Sequence, residues 1–245
     1  MHRQLFPNRA ANDLFCDLFV LGPIGAITRL NNRNHLAHHA HLANEDDPDR
    51  HKYGCFNKTD MTELLGYLSG TTSILRSVRH VFLPSGRAPS AEQRDHGYTP
   101  RDAAILAGVQ LTLIGGLTWA FGWWGWPLMW AAPVYVFTYL GDSIRSFAEH
   151  SRPQADALAD EHRLITYVSS PVERMFFAPM NMNFHTAHHL WVSIPYYNLP
   201  AADAEMRRHP LAQELEWRRS YVGYILRYAL ALPLDECRIR MASAP

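Results

Sequence analysis

Residues 103–141 read AAILAGVQLTLIGGLTWAFGWWGWPLMWAAPVYVFTYLG, and none of the 39 is Asp, Glu, Lys, Arg or His. An α-helix rises about 1.5 Å per residue, and a bilayer's hydrocarbon core is about 30 Å thick. The run therefore suits two crossings, roughly Ala103–Trp123 and Pro127 to about Phe147, joined by the turn Gly122-Trp-Trp-Gly-Trp-Pro127. Trp119, Trp123, Trp124, Trp126 and Trp130 surround that turn, as an aromatic belt at a membrane interface would. The alternative is a buried helical hairpin in a soluble protein, which an uncharged run of this length disfavours. The stretch predicts an all-α integral membrane protein with a transmembrane hairpin over about 103–147.

A hairpin leaves the segments before residue 102 and after residue 148 on one side. Arg87, Arg94 and Arg101 precede it, and Arg145, Arg152 and Arg163 follow it. By the positive-inside rule that side is the cytoplasm, as in a bacterial inner-membrane protein. Residues 14–28 are apolar, but they are short and broken by Asp17, Gly22 and Pro23, which reads as an interfacial or core helix rather than a span. Residues 61–83 read as an amphipathic helix. Residues 217–232 (WRRSYVGYILRYALAL) read as either an interfacial helix or ordinary packing.

The remaining composition narrows the class. The 245 residues carry 23 basic and 23 acidic side chains, a formal net charge of zero, which argues against a nucleic-acid partner. Hydrophobic residues make up 47% of the chain, enough for a sizeable core in a single domain over 1–245. Cys16, Cys55 and Cys237 lie far apart with no C-x-x-C, so neither a disulfide framework nor a cysteine-based zinc knuckle is expected. The first ten residues contain no apolar signal-peptide core.

Histidine is the unusual residue: there are 14, mostly clustered. Asn34-His-Leu-Ala-His-His-Ala-His41 contains His35-x-x-His38-His39, and a second cluster has His185-x-x-His188-His189. Both use the spacing i, i+3, i+4, which sets three imidazoles on one helical face. His150 follows Arg145-Ser-Phe-Ala-Glu149 at the end of the second crossing, and His2 stands at the N-terminus. Imidazole suits iron, zinc, copper and nickel, and a single metal needs only three or four protein ligands. Two triplets with His150 and His2 match two metals, and oxidative chemistry makes a binuclear iron centre the natural candidate. The Glu-x-x-His repeats of soluble di-iron bundles and the H-E-x-x-H of zinc proteases are absent. His51, His80, His96, His162 and His209 stand alone and read as ordinary polar or core residues, and His41 as a surface or supporting one.

These residues resemble the membrane fatty acid desaturase family, which includes related hydroxylases and carotenoid oxygenases. Asn34-His35-Leu-Ala-His38-His39 with Asp46-Asp-Pro-Asp49 looks like the family's second histidine box. Asn183-Phe-His185-Thr-Ala-His188-His189-Leu-Trp with Pro195-Tyr-Tyr-Asn-Leu-Pro200 looks like the third, although Ala187 stands where an acidic residue is common. Arg145-x-x-x-Glu149-His150 is similar to the extra ligand segment after the last transmembrane helix. His2 looks like the second histidine of the first box. That box's first histidine would fall before Met1, and the first transmembrane pair is missing, so the chain resembles a member lacking its N-terminal third.

The resemblance implies two Fe2+ ions held by His2, His35, His38, His39, His150, His185, His188 and His189 in a cytoplasmic helical cap. It also implies O2 as co-substrate and removal of two vicinal hydrogens from an acyl lipid. No nicotinamide or flavin fingerprint is present, so two electrons would come from a ferredoxin or cytochrome donor. The same site would serve a hydroxylase or ketolase of carotenoid or other lipid. A third alternative is an inactive remnant or non-catalytic metal-binding subunit.

Overall fold

The computed structural model describes residues 6–42, 44, 46–52, 60–72, 75, 97–152 and 163–232, and most of these are helical. His2, His80, His96 and His162 lie outside the described residues. The chain divides into two compact units, residues 1–38 with 79–138 and residues 39–78 with 139–245.

In the first unit, helix α1 (Arg9–Phe19) starts at Asn8, whose side chain accepts from the amides of Ala10 and Ala11. A turn over 20–25 leads to helix α2 (Thr28–Ala40). Asp17, which reads in the sequence as a break in an apolar run, is buried and accepts from the Thr28 amide at 2.7 Å. It therefore caps α2 across the turn. A Cβ on Gly22 would collide with the Asp17 carbonyl oxygen. Gly22→Ala should thus lower stability by about 1–3 kcal/mol, the usual cost of overpacking. Gly116→Ala is the control, because Gly116 faces open space. Thermal unfolding in detergent should separate the two, and an equal response would remove the close approach.

Helix α4 (Pro100–Phe121) opens on a capping box, in which the Thr99 side chain accepts from the Asp102 amide and the Asp102 carboxylate accepts from the Thr99 amide. Arg29 reaches the same carboxylate at 2.6 Å. At 22 residues, α4 is long and apolar enough to cross a membrane, and none of its most apolar stretch is buried in the protein. Ten residues into it, Gln110 donates to the carbonyls of Gly22 (2.8 Å) and Pro23 (2.9 Å). Trp130 Nε1 donates to the same Pro23 oxygen at 2.9 Å.

A turn follows, and among the described residues α4 is the one helix that is long and apolar enough to cross a membrane. Gly122 ends α4 at φ 75°, and Trp123 and Trp124 pack ring on ring at 3.7 Å. Residues 125–150 are then helical throughout. Pro127 and Pro133 each remove an amide donor, and the backbone widens into π turns at Pro127–Ala131 and Val134–Leu140 before tightening into helix α5 (Gly141–His150).

The second unit holds helix α3 (Met61–Leu68), α5, helices α6 (Pro171–Phe177), α7 (His185–Leu190), α8 (Leu199–Met206) and α9 (Tyr221–Leu230). It also carries the one departure from an all-helical chain among the described residues. Strands β1 (Ile165–Tyr167) and β2 (Glu216–Arg218) pair in parallel, Ile165 opposite Glu216. The core gathers Leu64 and Tyr67 of α3, Phe147 and Ala148 of α5, Ile165 and Tyr167 of β1, and Tyr221, Tyr224 and Tyr228 of α9. The alternatives for residues 217–232 resolve by face. Tyr221, Tyr224 and Tyr228 are buried, whereas Val222, Leu226 and Leu230 are exposed.

Candidate metal centre

Five of the eight histidines singled out in the sequence converge within the second unit. They are His39, His150, His185, His188 and His189. His35 and His38 precede His39 on α2, and the 3.6-residue period places all three on one face. His2 lies outside the described residues.

The end of α5 is fixed first. A helix leaves its last four carbonyls without intrahelical partners. Three buried tyrosines of the core reach this end. Tyr167 OH donates to the Ala148 carbonyl at 3.2 Å, and Tyr224 OH donates to the Ser151 carbonyl. Tyr221 OH donates to Glu149 Oε1 at 2.7 Å. Tyr167 and Tyr221 stack with centroids 4.0 Å apart, and Tyr224 meets Tyr167 edge to face at 6.2 Å. His150 Nδ1 lies 2.8 Å from the Ser146 carbonyl, which can only accept. Nδ1 therefore carries the proton, and Nε2 presents its lone pair to the site.

Helix α7 is placed by the strand pair. Tyr167 N donates to the Asn183 carbonyl (2.9 Å), and the Asn183 side chain donates back to the Tyr167 carbonyl (2.8 Å). Thr166 Oγ1 donates to Thr186 Oγ1 at 3.0 Å. Just upstream, Met180 (φ 57°) and Asn181 (φ 59°) adopt left-handed backbone, unfavourable for methionine, and Asn181 Nδ2 donates to the Tyr196 carbonyl (3.2 Å). The six-residue helix then turns His185, His188 and His189 inward, with His185 and His188 buried.

Two close nitrogen pairs result. His185 Nε2 is 3.0 Å from His150 Nε2, and His39 Nε2 is 3.1 Å from His188 Nε2. His189 joins them, its ring centroid 4.1 Å from that of His39 and 4.5 Å from that of His185. His150 and His189 also offer ligand atoms within 4.8 Å of each other. Burial pushes the His185 pKa well below its usual value, and positive charge on His189, His150 or His188 would push it further. This ring is therefore neutral, the form that binds metals. Two nitrogens bound about 2.1 Å from one metal at a right angle would lie about 3.0 Å apart. One shared proton or one cation satisfies such a contact, and the crowding of five rings favours the cation.

Glu149 was quoted in the sequence only as part of the motif around His150. It is fully buried, and its Oε2 sits 3.1 Å from His185 Nδ1. The two atoms are within ion-pair distance, and neither makes a hydrogen bond. Burial pushes the Glu149 carboxyl up to about 8, with Arg145 and the Tyr221 hydroxyl opposing the rise. The Arg145 Nε is 3.9 Å from Oε2. An acid directly beside a candidate ligand was the available signal for Glu149. Tyr221 left none, since it stands 72 residues away from the carboxylate it binds.

The donor set of five clustered imidazoles with an adjoining buried carboxyl group therefore fits a transition metal. Comparison with known proteins agrees: the fatty acid desaturase family model matches residues 1–221. No curated protein and no solved structure matches the chain.

Proposed function

The chain belongs to the fatty acid desaturase family, and from that premise we propose that it is an oxygen-dependent membrane oxidoreductase that inserts a carbon–carbon double bond into an acyl lipid. The family is membrane-associated and supports an oxidoreductase acting on lipid. The observation that carries the finer reading is the pair of nitrogen contacts, His150–His185 at 3.0 Å and His39–His188 at 3.1 Å. Two such pairs suit two metals.

One metal would sit at His39 and His188 and the other at His150 and His185, with His189 beside both pairs. His35 and His38 complete the ligand set from the same face of α2, and His2 joins it. When bound, two Fe2+ ions supply the O2-dependent oxidising power that acid–base chemistry lacks toward an unactivated methylene. The protein's own residues orient His150, through the Ser146 carbonyl, and keep the buried His185 neutral. The tyrosine stack and Asn183 keep α5 and α7 in register. The substrate would give up two hydrogens, which carry two protons and two electrons; a ferredoxin or cytochrome would supply two further electrons and solvent two protons, and O2 would leave as two waters.

Helix α4 supports the membrane reading, since its apolar face finds no cover in the protein. A second crossing from Pro127 to about Phe147 would set both boxes on the arginine-bearing, cytoplasmic side.

The test is metal and product analysis of the detergent-purified chain reloaded with Fe2+. About two irons per chain are expected, together with formation of an alkene from lipid vesicles when reduced ferredoxin and O2 are supplied. A folded chain without iron overturns the reading. An alcohol or ketone as the sole product replaces desaturation with hydroxylation or ketolation.

A further inference from the structure

We propose that Glu149 is a positioning residue that aims His185 at its metal, with Tyr221 as the clamp that holds Glu149. The proposal rests on the metal-centre reading above and deepens it. A ligating histidine is held by what its other ring nitrogen touches, and a carboxylate is the strongest such support. His185 has a choice of one. Its Nδ1 is buried, makes no hydrogen bond, and lies 3.1 Å from Glu149 Oε2. Its Nε2 points the opposite way, 3.0 Å from His150 Nε2. The carboxylate side is equally determined. Tyr221 OH occupies Oε1 at 2.7 Å, leaving Oε2 free to face the imidazole.

A structural role explains these facts poorly. A fully buried carboxylate with one full hydrogen bond, and its nearest guanidinium nitrogen at 3.9 Å, is a costly way to fill space. Its position is what it contributes. Glu149 precedes His150 on α5, so one helix end supplies a ligand and the support of another ligand borne by α7. The two histidines are thereby tied to each other through one carboxyl group carried by α5. Ser146 performs the same task for His150 by accepting from its Nδ1 at 2.8 Å.

The test uses the full chain in detergent with Co2+ as the probe, read by equilibrium titration and by the visible d–d bands. The wild type should take up about two Co2+. Glu149→Gln should keep both sites but weaken one by about 10–100-fold and shift its bands. Tyr221→Phe should move affinity and bands in the same direction by less. In the metal-free chain, Glu149→Gln should melt close to wild type, because the amide keeps the shape of a carboxyl that burial already holds largely protonated near neutral pH. A merely structural residue would show the reverse: a lower apo melting temperature and unchanged bands. Wild-type binding with an indistinguishable Glu149→Gln overturns the positioning role alone. Loss of one whole ion overturns it in favour of direct ligation. A wild type that binds neither Co2+ nor Fe2+ overturns this role and the metal-centre reading together. If Glu149→Gln fails to fold, Tyr221→Phe decides, and unchanged Co2+ affinity in that variant overturns the proposal.

Discussion

His39→Ala should lose at least one iron while leaving the protein folded. His39 lies on α2, where alanine is a better helix former than histidine, so the backbone gains rather than loses. Its ring is only half-buried, and its removal opens no sealed cavity. Its Nε2, however, lies 3.1 Å from that of His188, and its ring meets His189 at 4.1 Å. His39 is thus the point where α2 joins the imidazoles of α7. Removing a group that merely supports a ligand costs about 10–100-fold in metal affinity or activity, and losing the ligand itself costs at least the upper figure. His39→Ala should fall from about two irons per chain to one or none. Its lipid product should drop by more than about 100-fold, with circular dichroism and gel-filtration behaviour unchanged. His209→Ala is the internal comparison. That exposed histidine follows α8, stands outside the imidazole cluster, and should retain full iron. Full iron in His39→Ala would remove His39 from the ligand set and undo the pairing with His188.

What the sequence disclosed was whatever local periodicity encodes. The spacing His185-x-x-His188-His189 needs only one turn of helix to become a cluster, and α7 supplies little more than that. The charge-free run of 39 residues is likewise local, and the helix boundaries at Pro100–Phe121 and 125–150 fall close to the expected ones. What stayed hidden depends on distant pairings. The three hydroxyls that grip the end of α5 come from β1 and α9, 19 to 73 residues away. No spacing rule connects Tyr167, Tyr221 and Tyr224 to Ala148, Glu149 and Ser151. Asp17 shows the same limit in miniature. In the sequence it is an acid interrupting an apolar stretch, but across the turn it is the cap of α2. The short strands were also invisible. Three residues are too few for an alternation signal, and their pairing spans about 50 residues of chain. The composition of the site was therefore legible, and its rigidity was not.

That rigidity can be tested apart from the ligands, through Phe147. Its side chain is wholly buried, one turn before His150. It meets Tyr228 edge to face at 4.8 Å and Tyr67 at 6.3 Å, so it joins α5 to α9 and α3. Phe147→Ala leaves a cavity among three elements, and such truncations cost about 3–5 kcal/mol. For a chain of this size each kcal/mol shifts the midpoint by roughly 2–4 °C, so the melting temperature should fall by about 6–20 °C. Phe147→Leu refills most of the volume and should cost under about 1.5 kcal/mol. The metal readout should differ from that of His39→Ala. The hydroxyls of Tyr167, Tyr221 and Tyr224 bind α5 beyond Phe147 and do not depend on its ring. Well below its lowered midpoint, Phe147→Ala should still load about two irons, and it should lose them only as it unfolds. One variant thus loses metal without losing fold, and the other loses fold before metal. A Phe147→Ala chain that melts within a few degrees of wild type would contradict the aromatic core that joins α3, α5 and α9. A stable one stripped of iron would mean that the ring positions His150 directly, and that the tyrosine clamps do not suffice.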